Sequence, residues 1–144
     1  EHEQVDLDVI LTESRIITMH TPLTDETRNL LDAVAFARMQ DGVIIVNAAR
    51  GGVIDTQALV DALDSGKVYA AGLDVTAPEP LDPEHTLLNR DNVVVTPHIA
   101  SATDKGRVRM YSGAIENARQ VLAGERPVDC VNPHVYEVLE GRSS

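Results

Sequence analysis

The sequence of 144 residues predicts an α/β fold with a parallel sheet. Four short apolar runs recur along it, and they are rich in β-branched or small residues. Segments with helical spacing of apolar residues separate them. Because the runs are continuous and do not alternate with polar residues, we expect strands that are covered on both faces. The predicted strands are residues 16–19, 43–46, 69–75 and 93–95.

Two helices are predicted between these strands. The first follows Thr24, a residue type that caps helix N-termini, and is predicted to carry Leu30, Leu31 and Val34 towards the core. The second follows Asp55 or Thr56 and ends before Gly66, where a left-handed residue commonly terminates a helix. The alternation of strands and helices favours right-handed crossovers between parallel strands.

The longest helix is predicted to start after Ser101 and to end at Gly124. Asp104 stands three residues after Ser101, in an arrangement similar to a capping box. Apolar residues then recur every three or four positions and share one helix face. They are Val108, Tyr111, Ile115, Ala118 and Leu122. The residues after Gly124 are predicted to form a tail.

The composition excludes several classes of partner. Twelve basic and 23 acidic residues give a formal net charge of −11. Such an acidic surface repels nucleic acid and anionic membranes, so we expect neither as a partner. We also expect no metal site. No apolar run reaches the roughly 18 residues of a membrane span. Cys130 is the one cysteine of the sequence, which excludes an internal disulfide and favours a reducing compartment such as the cytoplasm.

Charged side chains follow three of the predicted strands at the point where each strand ends. Arg50 follows the second strand, Glu79 the third and His98 the fourth. In open parallel sheets, ligands bind outside the carboxyl ends of the strands. We therefore expect these three side chains to lie at one edge of the sheet.

This set of side chains fits one type of chemistry. An arginine can hold a carboxylate through two parallel hydrogen bonds and polarise an adjacent carbonyl. A histidine can transfer a proton, and a carboxylate beside it stabilises the imidazolium and fixes its orientation. Together they suit the interconversion of 2-oxo and 2-hydroxy acids, with the hydride supplied by a cofactor. The alternative is a solvated arginine, an ordinary loop carboxylate and a structural histidine.

Four segments, in order along the chain, carry recognisable motifs. They are residues 10–28, residues 39–55 with Asn-Ala-Ala-Arg-Gly-Gly at their centre, residues 72–81 and residues 96–99. Together they resemble the signatures of the D-isomer-specific 2-hydroxyacid dehydrogenases. The sequence of residues 74–81, Asp-Val-Thr-Ala-Pro-Glu-Pro-Leu, is most similar to the glyoxylate/hydroxypyruvate reductase branch of that family.

The resemblance implies the later half of a doubly wound, Rossmann-like dinucleotide-binding domain. Residues 1–123 would be a partial NAD(P)-binding domain without its first strands, and residues 124–144 a C-terminal tail that leads to an absent substrate domain. No Gly-x-Gly-x-x-Gly occurs in the sequence. We therefore expect the C-terminal part of a longer chain, inactive when isolated.

The resemblance also implies roles for individual residues. Arg50 matches the family's substrate-binding arginine, His98 its acid/base histidine and Glu79 the acid paired with that histidine. The implied cofactor is NAD or NADP, the substrate is a small 2-oxo or 2-hydroxy acid, and the full-length protein would be a homodimer. The residues expected to line the cofactor are Thr21, Pro22, Ala48, Ala49, Arg50, Asp74, His98, Ala100 and Ser101.

Two other interpretations remain open at the level of sequence. The C-terminal-binding corepressors resemble the same family and use the dinucleotide fold as a sensor. Such relatives can keep the Arg-Glu-His set, so the set alone does not exclude a non-enzymatic protein. The second is an α/β fragment without a ligand of its own.

Overall fold

The computed structural model of the protein describes residues 3–140. It divides into two compact units, one that runs to Ala100 and one that begins at Ser101. Within the described chain, the first unit contains the strands and the hydrophobic core, and the second contains two helices. Each unit is described by itself below.

Four parallel strands form a single sheet in the first unit, which confirms the predicted fold class. Neighbours in the sheet are also neighbours along the chain, so each pair needs a crossover connection. The strands are β1 (Ile16–Met19), β2 (Val43–Asn47), β3 (Val68–Leu73) and β4 (Val93–Val95). Their order across the sheet is β1-β2-β3-β4, which places all four carboxyl ends at one edge.

The strand bounds match the prediction at the two outer strands and differ slightly at the inner ones. β2 continues for one further residue, to Asn47. β3 begins at Val68 and ends at Leu73, so Asp74 and Val75 belong to the loop that follows it. The Asp74 backbone N–H still donates to the Asn47 carbonyl over 2.8 Å, but beyond Leu73 the chain leaves the ladder.

In the described part of the first unit, three short α-helices and two 3₁₀ helices accompany this sheet. The α-helices are α1 (Leu7–Glu13), which the sequence analysis did not predict, α2 (Ala33–Arg38) and α3 (Thr56–Asp64). The 3₁₀ helices are Gly51–Val53 and Thr86–Asn89. α3 has the expected ends: the Asp55 carboxylate accepts a hydrogen bond from the Ala58 N–H at 3.0 Å, and Gly66 follows with a φ of 77°. The side chain of Asp55, and not that of Thr56, is therefore the cap.

The helix predicted after Thr24 begins nine residues later, at Ala33. The intervening chain is held in turns by tertiary contacts. Asn29 has a φ of 52°, which is not helical, and its N–H donates to the Gly52 carbonyl over 2.9 Å. Asp32 caps the helix instead of Thr24.

The later start changes which residues of this segment face the core. Leu31 is 1% exposed and lies in the core, as expected. Val34 is 67% exposed, which contradicts its predicted burial, and Phe36 at 2% exposure takes the inward position instead.

The two faces of the sheet differ in burial, which corrects the expectation of strands covered on both sides. Ile17, Ile45 and Ala71 lie side by side on one face, where they join residues of α1, α2 and α3 in a single core. On the other face, Ile16 is 62% and Val94 is 65% exposed. The strand sequences are continuously apolar because the residues on this exposed face are largely apolar as well.

The second unit contains α4 (Asp104–Leu122) and α5 (His134–Glu140), the latter within the predicted tail. α4 is capped by Thr103, not by Ser101, since the Thr103 hydroxyl accepts from the Gly106 N–H at 3.0 Å. It ends where expected, and Gly124 has a φ of 75°. The apolar side chains of α4 are exposed.

Between residues 3 and 140, no helix combines the length and the apolar character that crossing a bilayer requires.

Candidate active site

The loops that follow the four strands meet at the carboxyl edge of the sheet. Each carries residues that the sequence analysis assigned to a site. Thr21 and Pro22 follow β1, residues 48–50 follow β2, residues 74–79 follow β3, and His98 and Ala100 follow β4.

Glu79 and His98 form a direct contact across two of these loops. The Nδ1 atom of His98 lies 2.7 Å from Oε1 of Glu79. Their side chains are 48% and 43% exposed, respectively, so the pair faces solvent and can be reached by a small molecule. Because Nδ1 is occupied by the carboxylate, the second ring nitrogen, Nε2, remains available to a ligand.

The backbone of His98 is held in an unusual conformation. Its φ of 54° lies in the left-handed region, which residues with a Cβ adopt at a free-energy cost. The His98 N–H donates to the backbone carbonyl of Asp74 over 2.9 Å. The turn from Thr96 to Ala100 is therefore fixed against the end of β3.

The carboxylate of Asp74 lies beneath this turn and is 8% exposed. Its Oδ1 accepts hydrogen bonds from the Thr96 hydroxyl (2.6 Å) and the Ile99 N–H (2.8 Å), and its Oδ2 accepts from the Ala100 N–H (2.7 Å). Burial alone would raise the pKa of Asp74. The three hydrogen bonds, with a smaller contribution from nearby His98, outweigh burial and hold the pKa below its ordinary value.

Asn47 is a second buried polar residue at this edge, and the sequence analysis missed it. It is 1% exposed. Its side-chain amide donates to the Arg50 carbonyl over 2.9 Å, and its side-chain oxygen accepts from the Ala49 N–H over 3.0 Å. Asn47 thus shapes the loop that carries Arg50. A polar residue at the end of an otherwise apolar strand was the available signal.

Gly51 brings the loops after β2 and β3 into contact. A Cβ at this position would overlap the backbone carbonyl group of Thr76. Nearby, the Thr56 hydroxyl donates to the Ala77 carbonyl over 2.7 Å. The loop of Arg50 and the loop of Glu79 are therefore packed backbone to backbone, and glycine is required at position 51.

Arg50 itself extends into solvent from this loop. Its guanidinium donates to the adjacent Ala49 carbonyl over 2.6 Å, and within the described chain it forms no ion pair. The structure thus places Arg50 on the loop that adjoins the loop of Glu79. Among the described residues, its guanidinium is not paired with an acidic side chain.

Thr21 shows an unmet hydrogen-bonding requirement. Its hydroxyl oxygen is buried and has no hydrogen-bond partner among residues 3–140. Buried hydroxyl groups are normally hydrogen-bonded. An unpaired hydroxyl near the carboxyl end of a strand therefore indicates that a ligand or a water molecule supplies the missing hydrogen bond. Thr21 was expected to line the cofactor.

A cleft of about 460 Å³ opens beside the Glu79–His98 pair. Asp74 and Thr96 contribute polar groups to it, and Leu81, Leu88 and Val95 form an apolar wall. Arg50 does not line this cleft.

The other predicted cofactor residues occupy the same loops with differing exposure. Ala48 and Ala49 are half-buried, whereas Pro22 and Ala100 are exposed. Ser101 is the first residue of the second unit and is exposed.

Comparison with known proteins agrees with the resemblance in the motifs. Residues 1–100 match the model of the D-isomer specific 2-hydroxyacid dehydrogenase, NAD binding domain. The chain belongs to this family. The match covers all four strands of the parallel sheet, which therefore belong to the NAD-binding domain of this family.

Named relatives share its sequence and fold. Glyoxylate/hydroxypyruvate reductase B of Salmonella newport is 48% identical over 128 residues, which are 89% of this chain and 40% of that protein. A D-isomer specific 2-hydroxyacid dehydrogenase from Xanthobacter autotrophicus, solved with NADPH, is 40% identical, with a TM-score of 0.78 over 89% of this chain and 52% of that one. D-lactate dehydrogenase with NAD⁺ from Lactobacillus jensenii is 34% identical, with a TM-score of 0.77 over 86% of this chain and 41% of that one.

The chain therefore spans about 40% of the length of the curated reductases that it matches.

Proposed function

We propose that this chain supplies the catalytic edge of an NAD(P)-dependent D-2-hydroxyacid dehydrogenase that interconverts hydroxypyruvate or glyoxylate with the corresponding 2-hydroxy acid. The 2.7 Å contact between Glu79 and His98 carries the proposal. The identity to glyoxylate/hydroxypyruvate reductase B supports this substrate class.

His98 is the proton donor and acceptor in this proposal. When a 2-oxo acid is reduced, the carbonyl carbon gains a hydride and the carbonyl oxygen gains a proton from Nε2 of His98. The Glu79 carboxylate accepts a hydrogen bond from the Nδ1–H of His98. This bond fixes the ring orientation and stabilises the protonated imidazole. In the reverse direction, His98 takes the hydroxyl proton.

Arg50 binds the substrate in this proposal. Its guanidinium presents two parallel N–H groups, the geometry that a carboxylate requires, and a neighbouring N–H can polarise the reacting carbonyl. The exposed Arg50 side chain forms no ion pair in the described chain, so it is available to an anionic ligand.

The residues at this edge fit a nicotinamide dinucleotide. The orphaned hydroxyl of Thr21 offers a hydrogen-bonding group, and Ala48, Ala49, Asp74, Ala100 and Ser101 remain proposed as lining residues, with Pro22, Arg50 and His98. When bound, the nicotinamide supplies or accepts the hydride. The chain's own residues bind the acid, orient it and move the proton.

A chimeric enzyme tests the proposal. The matched 128 residues of the Salmonella reductase are replaced by the equivalent residues of this chain, and NADH consumption is followed with hydroxypyruvate or glyoxylate. We expect turnover in the chimera. His98→Gln should lower kcat by about 10²-fold or more, since general acid–base catalysis contributes about that much. Arg50→Gln should mainly raise KM.

Arg38→Gln is the matched control, because Arg38 is a surface arginine paired with Asp8 at 2.8 Å and lies outside the site loops. Its kinetics should equal those of the unmodified chimera. A chimera that binds NADH by fluorescence without turnover contradicts the enzymatic proposal and favours a sensor of the corepressor type. Unchanged rates in both site variants remove the proposed roles.

The setting of the whole protein is also proposed. A homodimer in a reducing compartment, the cytoplasm, fits a chain with a single cysteine and a net charge of −11. The same charge argues against nucleic acid or an anionic membrane as a partner. Sedimentation of the chimera measures the oligomeric state, and a monomer contradicts the dimer.

A further inference from the structure

Asp74 and Glu79 are two carboxylates on the same loop with different surroundings. Glu79 is 43% exposed in its side chain, and its recorded side-chain partner is His98. Asp74 is 8% exposed and accepts three hydrogen bonds, all from the turn between Thr96 and Ala100. An ionised carboxylate has about four acceptor positions, so Asp74 is nearly saturated.

The donors to Asp74 surround His98 in the sequence. One precedes it at Thr96, and the other two, Ile99 and Ala100, follow it directly. A fourth hydrogen bond is made by the backbone, where the His98 N–H donates to the Asp74 carbonyl. Asp74 thus holds the turn on both sides of the residue that it presents.

This turn needs such support because His98 is left-handed, with a φ of 54°. A residue with a Cβ stays in that region only when its surroundings over-determine the conformation. Hydrogen bonds to a charged acceptor are stronger than neutral ones, and those from backbone N–H groups fix the main chain directly. An ionised carboxylate at position 74 is therefore suited to hold the turn from Thr96 to Ala100 in this conformation.

We infer that Asp74 is a positioning residue whose carboxylate holds the turn from Thr96 to Ala100 so that His98 presents Nδ1 to Glu79. Its importance for catalysis rests on the proposed function, but the positioning itself does not. Oδ1 accepts from Thr96 and Ile99, and Oδ2 accepts from Ala100, which leaves one acceptor position on Oδ2. This role is therefore compatible with a cofactor contact.

Nuclear magnetic resonance of the full chain tests the inference without any need for turnover. In the unmodified chain, we expect protected Ile99 and Ala100 amides and a nuclear Overhauser contact between the His98 ring and Glu79. In Asp74→Asn, amide protection at both positions should fall by about tenfold or more, the size expected for a charged hydrogen bond. The His98–Glu79 contact should disappear.

Asp32→Asn is the matched control. Asp32 also accepts a backbone hydrogen bond, from Ala35 at 2.8 Å, but at the start of α2 and not in a site loop. It should leave the Ile99 and Ala100 amides and the His98–Glu79 contact unchanged. Equal effects of the two variants, or a retained contact in Asp74→Asn, overturn the inference.

A titration of the unmodified chain keeps the test decisive if Asp74→Asn does not fold. The amide protons of Ile99 and Ala100 should shift together with the Asp74 carboxyl carbon as the pH falls. Independent titration of these signals overturns the inference.

Kinetics of the chimera give the last measurement. Asp74→Asn should lower kcat by about tenfold or more, while KM for the 2-oxo acid changes much less, because His98 and not the substrate-binding arginine is displaced. An Asp74→Asn kcat equal to that of the parent chimera overturns the positioning role. If the chimera is inactive, the proposed function fails, whereas the magnetic resonance result still decides the positioning of His98.

Discussion

The carboxyl edge of the sheet has two layers that differ in burial and in what their side chains contact. The inner layer consists of Asn47, Gly51 and Asp74, all buried. The outer layer consists of Arg50, Glu79 and His98, all exposed.

The contacts of the inner layer are directed at the backbone of the outer one. Asn47 bonds to the main chain of Ala49 and Arg50, and Asp74 bonds to the main chain of His98, Ile99 and Ala100. In the outer layer, Glu79 and His98 contact each other, and the exposed Arg50 side chain bonds to the neighbouring Ala49 carbonyl. The difference separates two tasks: the inner layer fixes loop conformation, and the outer layer presents reactive groups. Substitutions in the two layers should therefore have different effects on folding.

The largest effect on stability is expected for Gly51→Ala. The added Cβ would overlap the Thr76 carbonyl group, and backbone cannot move aside as a flexible side chain does. Overpacking of this kind costs about 3 kcal/mol, which urea unfolding of the chain would measure. Gly72→Ala in β3 is the control, since no atom lies within 4 Å of its Cβ position. A Gly51→Ala variant as stable as the parent would show that the two loops are not in tight contact.

A smaller loss is expected for Asn47→Ala. It removes the hydrogen bond to the Ala49 N–H and one of two to the Arg50 carbonyl, which still accepts from the Val53 N–H at 3.3 Å. The two lost bonds should cost about 2 kcal/mol in free energy of unfolding. Asn92→Ala removes a comparable bond to the Tyr69 carbonyl, of 2.7 Å, at an exposed site and should cost less. Equal losses of stability in Asn47→Ala and Asn92→Ala would contradict a special role of the buried Asn47 in holding the loop.

The pH dependence of stability should show the contribution of the ionised Asp74 carboxylate to folding. Its pKa is lowered in the folded protein, so its ionised form contributes stability above the ordinary carboxyl pKa, and this stability is lost as the pH falls through the lowered value. The stability difference between the parent and Asp74→Asn should therefore shrink between about pH 5 and pH 2. Urea midpoints across this range measure it, and a constant difference would contradict an ionised Asp74.

Asp41→Asn is the control for that titration. A hydrogen bond from Lys67 and its positive charge lower the pKa of Asp41 as well, so the trend has the same direction. The Asp41 side chain is 89% exposed, and its effect should be smaller.

The smallest effect on stability is expected in the outer layer. Glu79→Gln should change the free energy of unfolding by no more than about 0.5 kcal/mol, because exposed ion pairs contribute little. In the chimera, the same substitution should lower kcat, since His98 loses the carboxylate that stabilises its protonated form. A large loss of stability in Glu79→Gln would show that Glu79 supports loop conformation, as the residues of the inner layer do.

The sequence is most informative about the outer layer. Arg50, Glu79 and His98 could be located because each follows an apolar run, and the motif resemblance named their roles. The inner contacts were less accessible: Asp74 meets its partners 22 to 26 residues further along the chain. The start of α2 was wrongly predicted at Thr24 because no local pattern records the hydrogen bond between Asn29 and Gly52.

The hydrogen bonds of Asn47 have a consequence for experiments at position 50. They end on peptide groups, the Ala49 N–H and the Arg50 carbonyl, so neither bond requires a particular side chain at position 50. A substitution of Arg50 therefore removes the guanidinium and leaves both bonds of Asn47 in place. A change in ligand binding in such a variant then reports on the lost side chain.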